Sequence, residues 1–218
     1  MTLRIALIHA TPVAIEPIES AFRTHWPEAE LMNVLDDSLS RDRARSLDIA
    51  PEMIARFERL ARYAHDYGAR GVLFTCSAFG PAIEAAARAL PIPVLKPNEA
   101  MFDAALARGR RIGMVATFAP SVTTMAEEFE AVARDRGEDA SLRSIVAEGA
   151  MDALRAGDVD RHNALVAGAA QAFADVDAIM LAQFSTSRAL DAVRSRVRVP
   201  VLAAPDAAVA QLKARLTS

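Results

Sequence analysis

The sequence predicts an α/β protein of two pseudo-symmetric three-layer lobes, with mainly parallel sheets and an active site in the inter-lobe cleft. Two observations carry this. Short, fully apolar runs alternate with longer amphipathic segments, which is the pattern of parallel strands covered by helices on both faces. The alternation also runs twice in register. Ile5 matches Ile112, and Pro93-Val94-Leu95 recurs as Pro200-Val201-Leu202, both at an offset of 107 residues.

The elements follow in order. Residues 3–8 read as a buried strand that breaks at His9-Ala10-Thr11-Pro12. Residues 17–26 read as a helix and 30–35 as an edge strand. Residues 51–67 place Met53, Ile54, Phe57, Leu60, Ala61 and Ala64 at helical spacing behind a first-turn proline. A strand over 71–75, a helix over 81–90 and a strand starting at Val94 complete the first round. The second round gives a strand over 111–116, a helix over 121–134 with Ser121 as N-cap, and an edge strand over 142–146. A long helix over 158–173, a strand over 178–181, a helix over 186–193 and a strand over 199–202 follow. A helix over 207–216 closes the chain and is expected to return to the first lobe. The lobes are expected at 1–97 plus 206–218, and at 98–205.

Composition narrows the function classes. With 218 residues, 52% of them hydrophobic, and a net charge of −3, the chain can bury a core and gives no reason to expect a polyanionic partner. No glycine-rich phosphate loop occurs, and no apolar run approaches the roughly 18–20 residues that span a bilayer. Neither nucleic acid nor membrane is expected as a partner. A single cysteine excludes an intramolecular disulfide, and with no secretory segment it makes a reducing cytoplasm the expected compartment. His9, His25, His65 and His162 show no metal-ligand spacing, so no metal is expected. Exposed apolar helix faces would permit a homo-oligomer.

That single cysteine, Cys76, ends a buried strand at Thr75-Cys76-Ser77-Ala78 and precedes a helix, where backbone N–H groups and the helix dipole favour a thiolate. The 107-residue offset places Gln183 at the equivalent point of the second half. In open parallel sheets the ligand site lies beyond the carboxyl ends of the strands. Across a shared cleft, Cys76 and Gln183 would then face one ligand.

These motifs, with Ile112-Gly113-Met114-Val115-Ala116-Thr117 and Leu181-Ala182-Gln183, resemble the aspartate/glutamate/hydantoin racemase superfamily over essentially the whole chain. The resemblance implies two facing cysteines, one removing and one returning the proton beside a carboxylate, with no cofactor. Maleate isomerases and one-cysteine arylmalonate decarboxylases belong to the same superfamily. This chain matches the first cysteine with Cys76 and replaces the second with Gln183, whose amide is neither acid nor base at neutral pH.

The expected function is therefore a cofactor-independent racemase- or isomerase-type enzyme, acting on a small carboxylate such as an amino acid, hydantoin or dicarboxylate. Cys76 is its expected acid, base or nucleophile. Two alternatives stay open: a decarboxylase or lyase of the arylmalonate decarboxylase type, and a non-catalytic binder of small carboxylates. The candidate substrate-binding residues are Thr11, Ser77, Thr117, Ser121, Gln183, Ser185 and Thr186, and the same hydroxyls could equally cap helices. His9 is the candidate proton relay or a satisfied structural histidine. The remaining histidines and the arginines of 41–45 and 108–111 read as solvated faces, and residues 41–50 as a mobile flap.

Overall fold

The computed structural model describes residues 2–46 and 48–217, and it contains two compact units. The first runs to Pro97 and resumes at Pro205; the second is Asn98–Ala204. Pro205 thus belongs to the first unit, one residue before the boundary expected from the sequence.

The first unit holds β1 (Arg4–His9), α1 (Ile15–His25), β2 (Glu30–Leu35), α2 (Ser38–Ala44), α3 (Pro51–Asp66), β3 (Gly71–Phe74), α4 (Gly80–Ala89) and β4 (Val94–Leu95). Its strands pair in parallel in the order β2-β1-β3-β4, with Ile5 between Leu31 and Gly71. β1 and β3 are central and buried, while β2 is the edge and has no fully buried residue.

The second unit repeats the plan. It comprises α5 (Glu99–Leu106), β5 (Arg111–Ala116), α6 (Pro120–Asp135), β6 (Ser141–Val146), α7 (Ala150–Arg155), α8 (Val159–Ala170), β7 (Ala178–Leu181), α9 (Leu190–Arg194) and β8 (Val201–Ala203). The order is β6-β5-β7-β8, all parallel, with Ile112 between Leu142 and Ala178. Ile5 and Ile112, matched in sequence, therefore hold the same place in the two sheets. A last helix, α10 (Ala204–Thr217), packs on the first sheet: a β-carbon on Gly71 would meet Leu216 at 2.9 Å and Leu212 at 3.2 Å.

Prolines start α3, α4 and α6 at positions where an N–H would go unused. Ser121 consequently lies inside the first turn of α6 and is not its N-cap, as the sequence had suggested. Asp158 caps α8 by accepting the Arg161 N–H at 3.0 Å. α8 stops at Ala170, short of the expected 173, and Phe173 folds over β5 instead, where a β-carbon on Gly113 would stand 2.8 Å from its ring. Residues 184–189 form a 3-10 turn ahead of α9, and α2, α5 and α7 are short helices that the periodicity did not reveal. Among the described residues, no helix is long and apolar enough to cross a membrane.

Candidate active site

Cys76 lies in the turn between β3 and α4, which packing anchors on both sides. Phe57 stacks on Phe74 before the turn and packs at a tilt against Phe79 after it, with ring centroids 4.8 and 4.7 Å apart. Each such pair is worth about 0.5–1.5 kcal/mol beyond its buried area. Cys76 is free and keeps part of its surface accessible. Its surroundings are nonetheless dense, and burial pushes the thiol up to about 11, against the opposing pull of the Ala78 N–H and the Arg43 charge. This corrects the expectation of a stabilised thiolate: α4 begins four residues later, at Gly80, and desolvation outweighs the nearby donors.

Arg43 corrects a second expectation. It is only 6% exposed, and its Nε donates to the Ala78 carbonyl at 3.0 Å while Nη1 donates to the Ser46 carbonyl. The guanidinium thus holds the far side of the Cys76 turn. The expected flap is partly helical, since residues 41–44 belong to α2. Arg56 also ties α2 and its approach together by pairing with Asp36, Ser38 and Asp42. Leu47, within the expected flap, lies outside the described residues.

His9, the last residue of β1, is fully buried. Nδ1 lies 2.9 Å from Thr75 Oγ1, and Nε2 lies 2.9 Å from Asn33 Oδ1. Burial lowers its pKa from the usual value, opposed by the Asn33 hydrogen bond and the Glu19 charge. Ser77 is buried, and its hydroxyl has no hydrogen-bond partner among the described residues. Thr11 precedes the Pro12–Ala14 3-10 turn without capping it through its side chain.

In the second unit, Gln183 follows β7 and is held by its neighbours. Its Oε1 accepts from the Thr117 N–H at 2.9 Å and the Thr117 hydroxyl at 3.1 Å. Its Nε2 donates to Ser121 Oγ at 2.5 Å, and that hydroxyl donates onward to the Phe118 carbonyl at 2.8 Å. The Gln183 N–H donates to Thr186 Oγ1 at 3.0 Å, and the Thr186 hydroxyl returns a bond to the Gln183 carbonyl. Four expected binding residues, Thr117, Ser121, Gln183 and Thr186, therefore satisfy one another. Ser185 is buried beside them.

Three features escaped the sequence reading. Arg43 was hidden in a run of arginines, and Asn33 in an edge strand. His162, expected on the surface, is fully buried, with Nδ1 at 2.9 Å from Asn163 Oδ1 and Nε2 without a hydrogen-bond partner among the described residues. Asn98, at the N-terminus of α5, is also fully buried, with neither amide atom hydrogen-bonded among the described residues. Among the described residues, no group of three or more His, Cys, Asp or Glu side chains could hold a metal ion.

No curated protein matches the chain by sequence. In structure it is similar to a glutamate racemase isoform from Bacillus anthracis, with a TM-score of 0.80 at 15% identity, covering 99% of this chain and 82% of that one. It is similar to allantoin racemase from Klebsiella pneumoniae, with a TM-score of 0.65 at 18% identity, covering 98% and 87%. A liganded double mutant of arylmalonate decarboxylase, with one glycine changed to cysteine and one cysteine to serine, gives a TM-score of 0.63 at 20% identity, covering 99% and 93%. At these identities the likeness is one of fold. The sequence model described as Asp/Glu/Hydantoin racemase matches residues 8–132, more than half of the chain and a span that includes His9, Cys76, Thr117 and Ser121; the chain belongs to the Asp/Glu/hydantoin racemase family.

Proposed function

We propose that the chain is a cofactor-independent enzyme that protonates a carbanion beside the carboxylate of a small substrate, with Cys76 as its single acid. The observation that carries this reading is the Gln183 network: where a two-base racemase needs a second acid–base group, this chain has an amide bound to Thr117 and Ser121. A thiol raised to about 11 favours the same reading, since only about one molecule in ten thousand would carry the thiolate at pH 7. Such a group carries its proton at rest and is a poor resting base; it is a weaker acid than an ordinary thiol, but still far stronger than the carbon it would protonate.

Decarboxylation of a substituted malonate fits this condition. The bond to the departing carboxylate breaks, carbon dioxide leaves with no base required, and the electron pair stays on the α-carbon as an enediolate. Cys76 then gives its proton to that carbon, and solvent reprotonates the sulfur. The Ser77 hydroxyl, which has no hydrogen-bond partner among the described residues, is suited to donate to the enediolate oxygen as charge develops there. A proton delivered from one side yields one enantiomer.

Racemisation or isomerisation is the second reading, supported by family membership and by the racemases among the structural neighbours. It requires Cys76 to lose its proton first, with the Arg43 charge and the Ala78 N–H as the groups that favour the thiolate.

Proton NMR in D2O, comparing wild type with Cys76→Ala, tests both. The panel would be substituted malonates, maleate, hydantoins and both enantiomers of aspartate and glutamate. Cys76-dependent loss of carbon dioxide with deuterium on one face supports the first reading, and Cys76-dependent α-deuteration with loss of optical purity supports the second. Turnover that survives in Cys76→Ala would remove Cys76 from the mechanism. Ligand binding without turnover would favour a carboxylate binder.

A further inference from the structure

The polar chain behind β1 does more than satisfy a buried histidine. It begins at the Glu19 carboxylate on α1, which accepts from Asn33 Nδ2 at 2.8 Å. An ionised carboxylate only accepts, so Asn33 must present its NH2 to Glu19 and its oxygen to His9. His9 Nε2 then carries a proton and donates to that oxygen at 2.9 Å. In the neutral ring Nδ1 is left as an acceptor, and the group it faces at 2.9 Å is the Thr75 hydroxyl. The same hydroxyl lies 3.3 Å from the Ile8 carbonyl. It has one hydrogen, so it serves His9 or Ile8, never both.

We propose that Glu19 and Asn33 are positioning residues: they fix His9 as its Nε2–H tautomer and, through it, the hydroxyl of Thr75, which follows β3 and directly precedes Cys76. The proposal rests on the reading of Cys76 as the reacting group. With His9 neutral, Thr75 donates to the ring. With His9 protonated, the ring donates to Thr75, whose hydroxyl turns to Ile8. Every hydrogen bond has a partner in both states, and the strand end rearranges by one hydroxyl rotation. The groups around the ring are the Glu19 carboxylate from α1, the neutral Asn33 amide from β2 and the hydroxyl of Thr75, the residue that follows β3. Glu19 also lies 4.0 Å from the Arg23 guanidinium.

Both proposed residues are open to substitution without disturbing the core: Asn33 is exposed, and the Glu19 side chain is 32% exposed. Long-range proton–nitrogen NMR on the full, 15N-labelled chain reads the His9 tautomer, and iodoacetamide alkylation reads Cys76, the only thiol. The wild type is expected to show the Nε2–H tautomer at pH 7.5. Glu19→Gln, which keeps an acceptor and drops the charge, should retain it. Glu19→Leu and Asn33→Leu should each lose the single tautomer and change the alkylation rate at pH 8.5 at least threefold. A wild-type ring protonated on Nδ1 overturns the proposal, as do leucine variants with unchanged ring shifts. Altered ring shifts with an unchanged alkylation rate would overturn the link to Cys76. Because neither measurement needs turnover, failure of the proposed chemistry in the Cys76→Ala comparison would be seen separately.

Discussion

Cys76 and Arg43 form a pair in which the cation opposes the burial of the thiol without overcoming it. The alkylation rate of wild-type protein should therefore rise with pH toward an inflection near 11. Arg43→Met removes both the charge and the donor to the Ala78 carbonyl, so iodoacetamide kinetics should give a higher inflection and a slower rate at pH 8.5. Gln183→Leu would leave the Thr117 N–H and hydroxyl without their acceptor and should cost about 2–4 kcal/mol in urea denaturation. Cys76 was legible in the sequence because it is the one thiol and sits at a strand end. The place of Gln183 was legible from the internal offset, but its partners were not, because the closing of its amide on Thr117 and Ser121 depends on loop geometry. Arg43 could not have been picked out from Arg41 and Arg45. Successive residues turn about 100° around a helix, and only the fold decides that Arg43 points inward while the other two side chains stay 63% and 78% exposed.

Among the elements, the strands were the most readable, since four to six apolar residues in a row have few other uses. The edge strand β2 and the central strand β5 have the bounds expected from the sequence. The short helices were not readable: α2 spans seven residues and α7 six, too few for an apolar stripe to repeat. The C-terminal end of α8 was misplaced because Phe173 continues the apolar pattern, although its ring serves β5 after the helix has ended. That ring covers Gly113 and carries the Arg143 guanidinium 4.9 Å above it. A methyl group at Gly113 would force the ring away, so Gly113→Ala should lower stability by about 1–3 kcal/mol in urea denaturation.

At the scale of the whole molecule, the duplicated succession of strands and helices is the feature that sequence predicted best, and acid sensitivity is one it did not announce. Each unit buries a histidine, His9 in the first and His162 in the second, and burial lowers both pKa values below 6.5. The unfolded chain therefore binds protons more readily than the folded one as pH falls below 6.5. The stability these neutral rings contribute is complete above that value and is lost as pH falls toward the folded-state pKa values. Melting curves should show Tm falling between pH 7 and pH 5, with a smaller fall in His162→Gln; an equal fall in that variant would count against His162. The return of α10 to the first sheet has a different consequence. During synthesis on the ribosome, β1 to β4 emerge before residues 98–204, yet the helix that covers Gly71 emerges after all of them. Of the two units, the one begun earlier is thus completed later, and until translation reaches α10 its nascent sheet carries an uncovered apolar patch for chaperones to shield.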